Sequence, residues 1–157
     1  MKIESIAAKL HKLIIEKSEG NSGPFMVGLS GGQGSGKTTL SEKLEELLIR
    51  EKVSCCVLSL DDFYLSKAKR RELAVHIHPL AFTRGVPGTH DVDLLKEILA
   101  NLSKTNLTSK VKTPIFSKLS DDLLPKEKWR TCAPSPRIIL IEGWCIGAKP
   151  SFLSKDP

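Results

Sequence analysis

Aromatic side chains are scarce in this 157-residue chain: two Trp, one Tyr and five Phe make up five per cent of it. With so few stacking groups, and no basic run longer than Lys69-Arg70-Arg71, nucleic acid is not expected as the main partner. The net charge of +6 is scattered and suits a site for a polyanionic small molecule. No apolar run reaches membrane length, which argues against a membrane partner. Lys2, Glu4 and Lys9 interrupt the start, so no secretory leader is read there, and the Asn101 and Asn106 glycosylation sequons carry no weight without one. The four Cys form no Cys-x-x-Cys pair, which excludes the common zinc and dithiol patterns. Cys55 and Cys56 lie in an apolar run and read as small hydrophobes on opposite faces of a strand, in keeping with a reducing, cytoplasmic setting. Repeats, low-complexity tracts and linkers are missing too, so residues 1–157 are expected to form a single domain.

What is present centres on residues 25–40. An apolar run at 25–29 reads as a buried strand, and Leu40, Leu44, Leu47 and Leu48 follow at helical spacing. Between them, Gly31-x-x-x-x-Gly36-Lys37-Thr38 matches the phosphate-binding loop pattern. At ~7% Gly usage the four fixed positions recur by chance in about one chain in a few hundred of this length, so the match points to a ligand. Glycines 31, 32, 34 and 36 let backbone N–H groups close on an anion, with Gln33, Ser35 and Thr39 completing the cradle. The helix that follows aims its positive end at the same point. Lys37 is expected on the β- and γ-phosphates of ATP, and the Thr38 hydroxyl on Mg²⁺. Leu29-Ser-Gly-Gly-Gln33 also spells the transporter ATPase signature, but it overlaps the phosphate loop and reads as coincidence. No Asn-Lys-x-Asp motif occurs and no Asp-x-x-Gly follows the loop, which argues against a GTPase or motor ATPase.

Elsewhere the pattern is that of an α/β chain. Ile3, Ile6, Ala7, Leu10, Leu13 and Ile14 give residues 1–18 an amphipathic helix, stopped by the Gly20–Pro24 turn. A helix from 37 to about 52 leads to an apolar strand at 53–60 that ends on Asp61 and Asp62. In a doubly wound parallel sheet, ligands bind beyond the carboxyl ends of the strands. Both aspartates therefore fall on the edge that carries the phosphate loop. Residues 65–84 read as basic and irregular, 84–91 as turn-rich, and 92–102 as a helix with Asp91 at its N-cap. A short strand at 111–116, broken by Pro114, precedes a polar loop to Trp129. The apolar strand at 136–141 ends on Glu142, the acid expected to hold Mg²⁺ opposite the loop. The expected fold is a three-layer phosphate-loop NTPase with a mostly parallel sheet and helices on both faces, and the nucleotide-binding core spans 24–150.

Four segments together resemble the glycerate 3-kinase-like family of phosphate-loop kinases, related to uridine kinase, phosphoribulokinase and bacterial pantothenate kinase. They are residues 28–39, Leu58-Ser-Leu-Asp-Asp-Phe-Tyr64, Arg84-Gly-Val-Pro-Gly-Thr-His-Asp91 and Ile141-Glu-Gly-Trp-Cys-Ile-Gly147. The resemblance implies ATP- and Mg²⁺-dependent phosphoryl transfer to a hydroxyl of a small metabolite, D-glycerate or a similar hydroxy acid. Uridine and pantothenate are the alternative acceptors. It places Asp61 at the acceptor hydroxyl, where a carboxylate in hydrogen-bond reach is what proton removal requires. Asp62, Tyr64, Arg84, His90 and Asp91 would line the acceptor site, Arg84 facing a substrate carboxylate. Arg70, Arg71 and Arg84 are candidates for the transferring phosphoryl. Two departures accompany the match. Relatives carry Gly-Asp-Arg before a proline, where this chain reads Asp121-Asp122-Leu123-Leu124-Pro125. They also continue past the point where this chain stops, so its three apolar strands make a sheet narrower than the usual ~5–6. A truncated, split or decaying product that keeps nucleotide binding without turnover, or an interaction subunit, is the alternative expectation.

Overall fold

The computed structural model describes residues 3–86, 88–104 and 108–148. Pro87 of the turn-rich segment, the Asn106 sequon and the ends of the expected 1–18 helix and 24–150 core lie outside them. The described chain runs α1 (Ile3–Ser18), β1 (Phe25–Ser30), α2 (Lys37–Arg50), β2 (Cys55–Ser59), α3 (Lys67–His76) and α4 (Val92–Leu102). Short strands follow: β3 (Val111–Thr113), β4 (Phe116–Ser117), β5 (Asp122–Leu123) and β6 (Arg130–Cys132), before β7 (Ile138–Gly143) closes the series.

The main sheet has the order β1-β7-β2 and is parallel throughout. β7 is central, buried on both faces, which is why its sequence is a continuous apolar run rather than an alternating one. Ile138 and Leu140 pack with Ile14 of α1 and with Leu44 and Leu48 of α2. Ile139 turns to the opposite face, against Cys56, Leu58, Ile98 and Leu102, the last two on α4. Helices thus cover both faces, the expected three-layer arrangement. Two antiparallel ribbons, β3 with β6 and β4 with β5, stand apart from this sheet. No described helix is long and apolar enough to cross a membrane.

Two expectations need correction. The basic 65–84 segment is not irregular, because α3 occupies 67–76, its N-cap Ser66 accepting from the Lys69 amide at 3.3 Å. This helix carries no apolar stripe, so hydrophobic spacing cannot find it. Its one buried residue is Arg70, and Val75 stands 80% exposed. Good helix formers behind a Ser cap were the available signal. Second, Cys56 is not a lone small hydrophobe: it forms a disulfide with Cys132 of β6, 76 positions away, a separation without any local signature. Cys55 remains free, and burial pushes its thiol up to about 12.

Register explains how the site is assembled. Leu29, Glu142 and Ser59 are level across β1, β7 and β2, so the carboxyl ends of all three strands reach one edge together. Gly143 at that edge is tightly covered: a Cβ there would lie 2.7 Å from Leu60 Cβ and 3.2 Å from Ile146 Cγ1. Since Leu60 Cβ cannot swing away, Gly143→Ala is expected to destabilise by about 1–3 kcal/mol, measured by urea denaturation. Gly23→Ala, with open space around it, should stay within about 0.5 kcal/mol. Equal effects would refute the close-packing account.

Candidate functional site

Between β1 and α2, residues 31–36 form the glycine-rich loop. Gly34 and Gly36 adopt φ of 74° and 84°, where a side chain would be strained. Gly36 is the N-cap of α2 and supplies no side-chain cap, leaving the amides of the first helical turn to a ligand. Lys37 folds back over the loop, its Nζ donating to the Gly32 carbonyl at 3.3 Å. Bent glycine backbone, an uncapped helix start and a lysine on the loop form a donor set that fits a nucleotide polyphosphate.

Opposite the loop stands Glu142, buried at 4% exposure. Its Oε1 accepts from Ser59 Oγ at 2.6 Å and from Thr38 Oγ1 at 3.3 Å. These bonds bring the helix start, the central strand and the edge strand onto one carboxylate. Among the described residues no group of three or more His, Cys, Asp or Glu converges on a metal site. The Thr38 hydroxyl and the Glu142 carboxylate are nevertheless hard oxygen donors of the kind Mg²⁺ takes alongside phosphate and water. The donor chemistry fits the ion.

Asp61 follows β2 in a short 3₁₀ turn at Leu60–Phe63. It shares a cavity of about 240 Å³ with Gln33, Lys37, Tyr64, Gly85 and Trp144. Burial works against its charge. Hydrogen bonds from Lys118 Nζ (2.8 Å) and Tyr64 Oη (3.0 Å), with the Lys118 and Lys37 charges, outweigh this and hold the carboxyl below its ordinary range. Tyr64 also stacks on His90 with ring centroids 4.5 Å apart. Burial lowers the His90 pKa, and its Nε2 has no hydrogen-bond partner among the described residues.

Residues 26–147 match the phosphoribulokinase/uridine kinase family. The chain belongs to that family. Within it, the chain is 35% identical over 155 residues to an uncharacterized kinase of Schizosaccharomyces pombe, covering 94% of this chain and 56% of that protein. It is 36% identical over 134 residues to the chloroplastic D-glycerate 3-kinase of Arabidopsis thaliana, covering 81% and 29% respectively. The solved structure of the YGR205w protein superposes with a TM-score of 0.81 at 26% identity, over 99% of this chain and 59% of that one. The α/β phosphate-loop kinase fold is thereby shown. The chain spans about half the length, or less, of the curated relatives it matches.

Other candidates of this family member are placed less simply. Asp62 faces a second cleft, of about 540 Å³, with Thr38, Asp61, Lys118, Arg130 and Glu142. It accepts from the Phe116 amide at 3.1 Å and so ties β4 to the site. Burial raises its pKa, the Phe116 bond and Arg130 oppose the rise, and the Asp61 and Glu142 charges add to it. Arg84 lines a third pocket with Gln33 and Arg70. Its Nη1 lies 2.6 Å from Asp121 Oδ1. Asp91 is not brought to the Lys37 cavity. It caps α4, accepting from the Leu94 amide at 3.0 Å, lies 3.7 Å from Lys69 Nζ and lines a separate groove.

Of the three candidate arginines, Arg70 is fully buried and bonded to backbone carbonyls, and Arg71 lies over the Phe82 ring. Arg84 alone among the three lines a pocket that shares Gln33 with the Lys37–Asp61 cavity while remaining part-exposed. Sequence reasoning missed Ser59, Lys118 and Asp121. Lys118 is 57 positions from the carboxylate it contacts, and nothing local marks it.

Proposed function

We propose that this chain binds Mg-ATP on the 31–38 loop and transfers the γ-phosphoryl to a hydroxyl of a small hydroxy acid, D-glycerate being the first candidate. One observation carries the reading: Lys37 and Asp61 line one cavity, with the Thr38–Glu142 pair beside it. As the acceptor oxygen forms its bond to the γ-phosphorus, its proton passes to the Asp61 carboxylate. The bond between that phosphorus and the β–γ bridging oxygen breaks, and ADP leaves. Lys37 and the loop amides oppose the charge that gathers on the phosphoryl oxygens. Thr38 and Glu142 would hold Mg²⁺, which neutralises charge on the β- and γ-oxygens when bound. Tyr64 keeps Asp61 oriented, and Arg84 faces the carboxylate of the acceptor. The similarity to D-glycerate 3-kinase supports this choice of acceptor.

The test is ADP formation with Mg-ATP and a panel of D-glycerate, uridine, pantothenate and other hydroxy acids. One acceptor is expected to stimulate turnover, and Lys37→Ala to lower that rate about 10²–10³-fold, the range for losing one preorganised charge-stabilising donor. ADP release indifferent to every acceptor, or unchanged in Lys37→Ala, would remove the kinase reading.

A further inference from the structure

The pocket beyond Gln33 measures about 400 Å³ and is lined by Gln33, Arg70, Phe82, Thr83, Arg84 and Asp121. Gln33 also lines the Lys37–Asp61 cavity, and Gly85, next to Arg84, lines that cavity too. The two spaces therefore adjoin, with the Asp61 carboxylate lining one and the Arg84 guanidinium the other. The turn between β4 and β5 reaches both. Lys118 at its start places Nζ 2.8 Å from Asp61 Oδ2. Asp121 at its close places Oδ1 2.6 Å from Arg84 Nη1 and Oδ2 3.0 Å from Arg70 Nη2. Asp121 is one of three non-glycine residues with positive φ among the described residues, at 54°, and Arg70 Nη2 donates to its carbonyl at 2.7 Å as well. Backbone and side chain of Asp121 are thus both held against the arginines.

We propose that Asp121 is an internal counter-ion in the anion subsite of the acceptor region, so that an acidic acceptor reaches Arg84 only by displacing it; the phosphotransfer reading above underlies this assignment. Arg70 is used by the fold: its Nε and Nη1 donate to the carbonyls of Leu65 and Phe82, and its side chain is fully buried. Arg84 is 34% exposed, lies over the Phe116 ring, and shows a single hydrogen bond among the described residues, the one to Asp121. It is the cation that can exchange partners. Charge-assisted, potentially bidentate pairing favours a carboxylate there over a neutral group. An aspartate already in place lowers the fraction of molecules ready to receive one, and raises the apparent dissociation constant in inverse proportion to that fraction. Asp121 therefore sets how strongly the site selects acids over neutral polyols.

Isothermal titration of D-glycerate into the whole chain tests this without requiring turnover, with glycerol as the uncharged arm. If Asp121 holds Arg84 for nine-tenths of the time, Asp121→Gly should bind D-glycerate about tenfold more tightly than the unaltered chain. Glycerol binding should not change. Asp121→Asn, which retains an acceptor oxygen without the charge, should give a smaller gain and decides the matter if the glycine variant does not fold. Adding Arg84→Gln to either variant should erase the gain, which separates this subsite from carboxylate binding on the phosphate loop. Failure of the kinase reading shows separately, as no acceptor-stimulated ADP formation. The proposal is overturned if folded Asp121→Asn and Asp121→Gly bind D-glycerate no more tightly than the unaltered chain, or if the gain survives Arg84→Gln.

Discussion

Asp61→Asn lowers acceptor-stimulated ADP formation by about 10²–10⁴-fold, the range for losing a positioned proton acceptor. The amide keeps the size of the carboxyl and can still accept from Tyr64, so the cavity retains its shape while proton uptake is lost. Nucleotide affinity should stay close to that of the unaltered chain, because the groups proposed to hold the phosphates are the loop amides and Lys37. The pH dependence gives a second reading. Burial pushes Asp61 up, but the Lys118 and Tyr64 hydrogen bonds with the Lys118 and Lys37 charges bring it below its ordinary range. A depressed folded-state pKa means the carboxylate is charged throughout the neutral range. Its stabilising contribution is present above the unfolded value of ~3.9 and is lost as pH falls through the lower folded value. The rate should therefore show no Asp61-dependent change across neutral pH, and Lys118→Met should move the acid limb upward. An Asn variant retaining most of its turnover would place proton removal elsewhere.

Arg70→Met is expected to destabilise the fold by about 1–3 kcal/mol, the range for leaving hydrogen-bond acceptors without their donor. Arg70 is 0% exposed. Nε donates to the Leu65 carbonyl at 3.1 Å, Nη1 to Phe82 at 2.7 Å and Nη2 to Asp121 at 2.7 Å. Its guanidinium also lies 5.8 Å from the centre of the Phe116 ring. One side chain thus ties together the start of α3, the turn after it and the β4–β5 turn. A buried ion pair exchanged for apolar groups can be neutral when both partners go. Here the carbonyls of Leu65, Phe82 and Asp121 lose their donor while the Asp121 carboxylate keeps Arg84, so the penalty falls on the carbonyls. Urea denaturation of the variant measures the loss. Arg71→Met is the control, since Arg71 is exposed and its guanidinium lies 6.0 Å from the centre of the Phe82 ring. That change should stay within about 0.5 kcal/mol. Matching losses at the two positions would deny Arg70 its role.

The two variants also mark where sequence reasoning stopped. Asp61 was legible because it ends an apolar strand in a chain that already carries a phosphate loop, and strand ends collect on one edge of a parallel sheet. Glu142 was legible for the same reason. From sequence Arg70 reads as one basic residue of an irregular segment and a candidate for the transferring phosphoryl, whereas its burial depends on carbonyls drawn from positions 65, 82 and 121. Lys118 and Asp121 sat in a stretch read as a polar loop. The family resemblance puts Asp91 at the acceptor, whereas the N-cap role that its position before the 92–102 helix also implies describes its actual contacts.

The sequence alone pointed to the glycine-rich loop and the helix after it, to the three parallel strands and to the acids that end two of them, whereas the expected burial holds for central β7 and not for edge strand β1, where Met26 is 48% exposed. Each follows from local spacing, from glycine torsions and from short apolar runs. Only the tertiary structure decided which charges meet. Arg84 with Asp121, Lys118 with Asp61 and Cys56 with Cys132 join residues 37, 57 and 76 positions apart. A charge pair or a disulfide leaves no periodicity in the chain, because its partners are selected by packing in three dimensions.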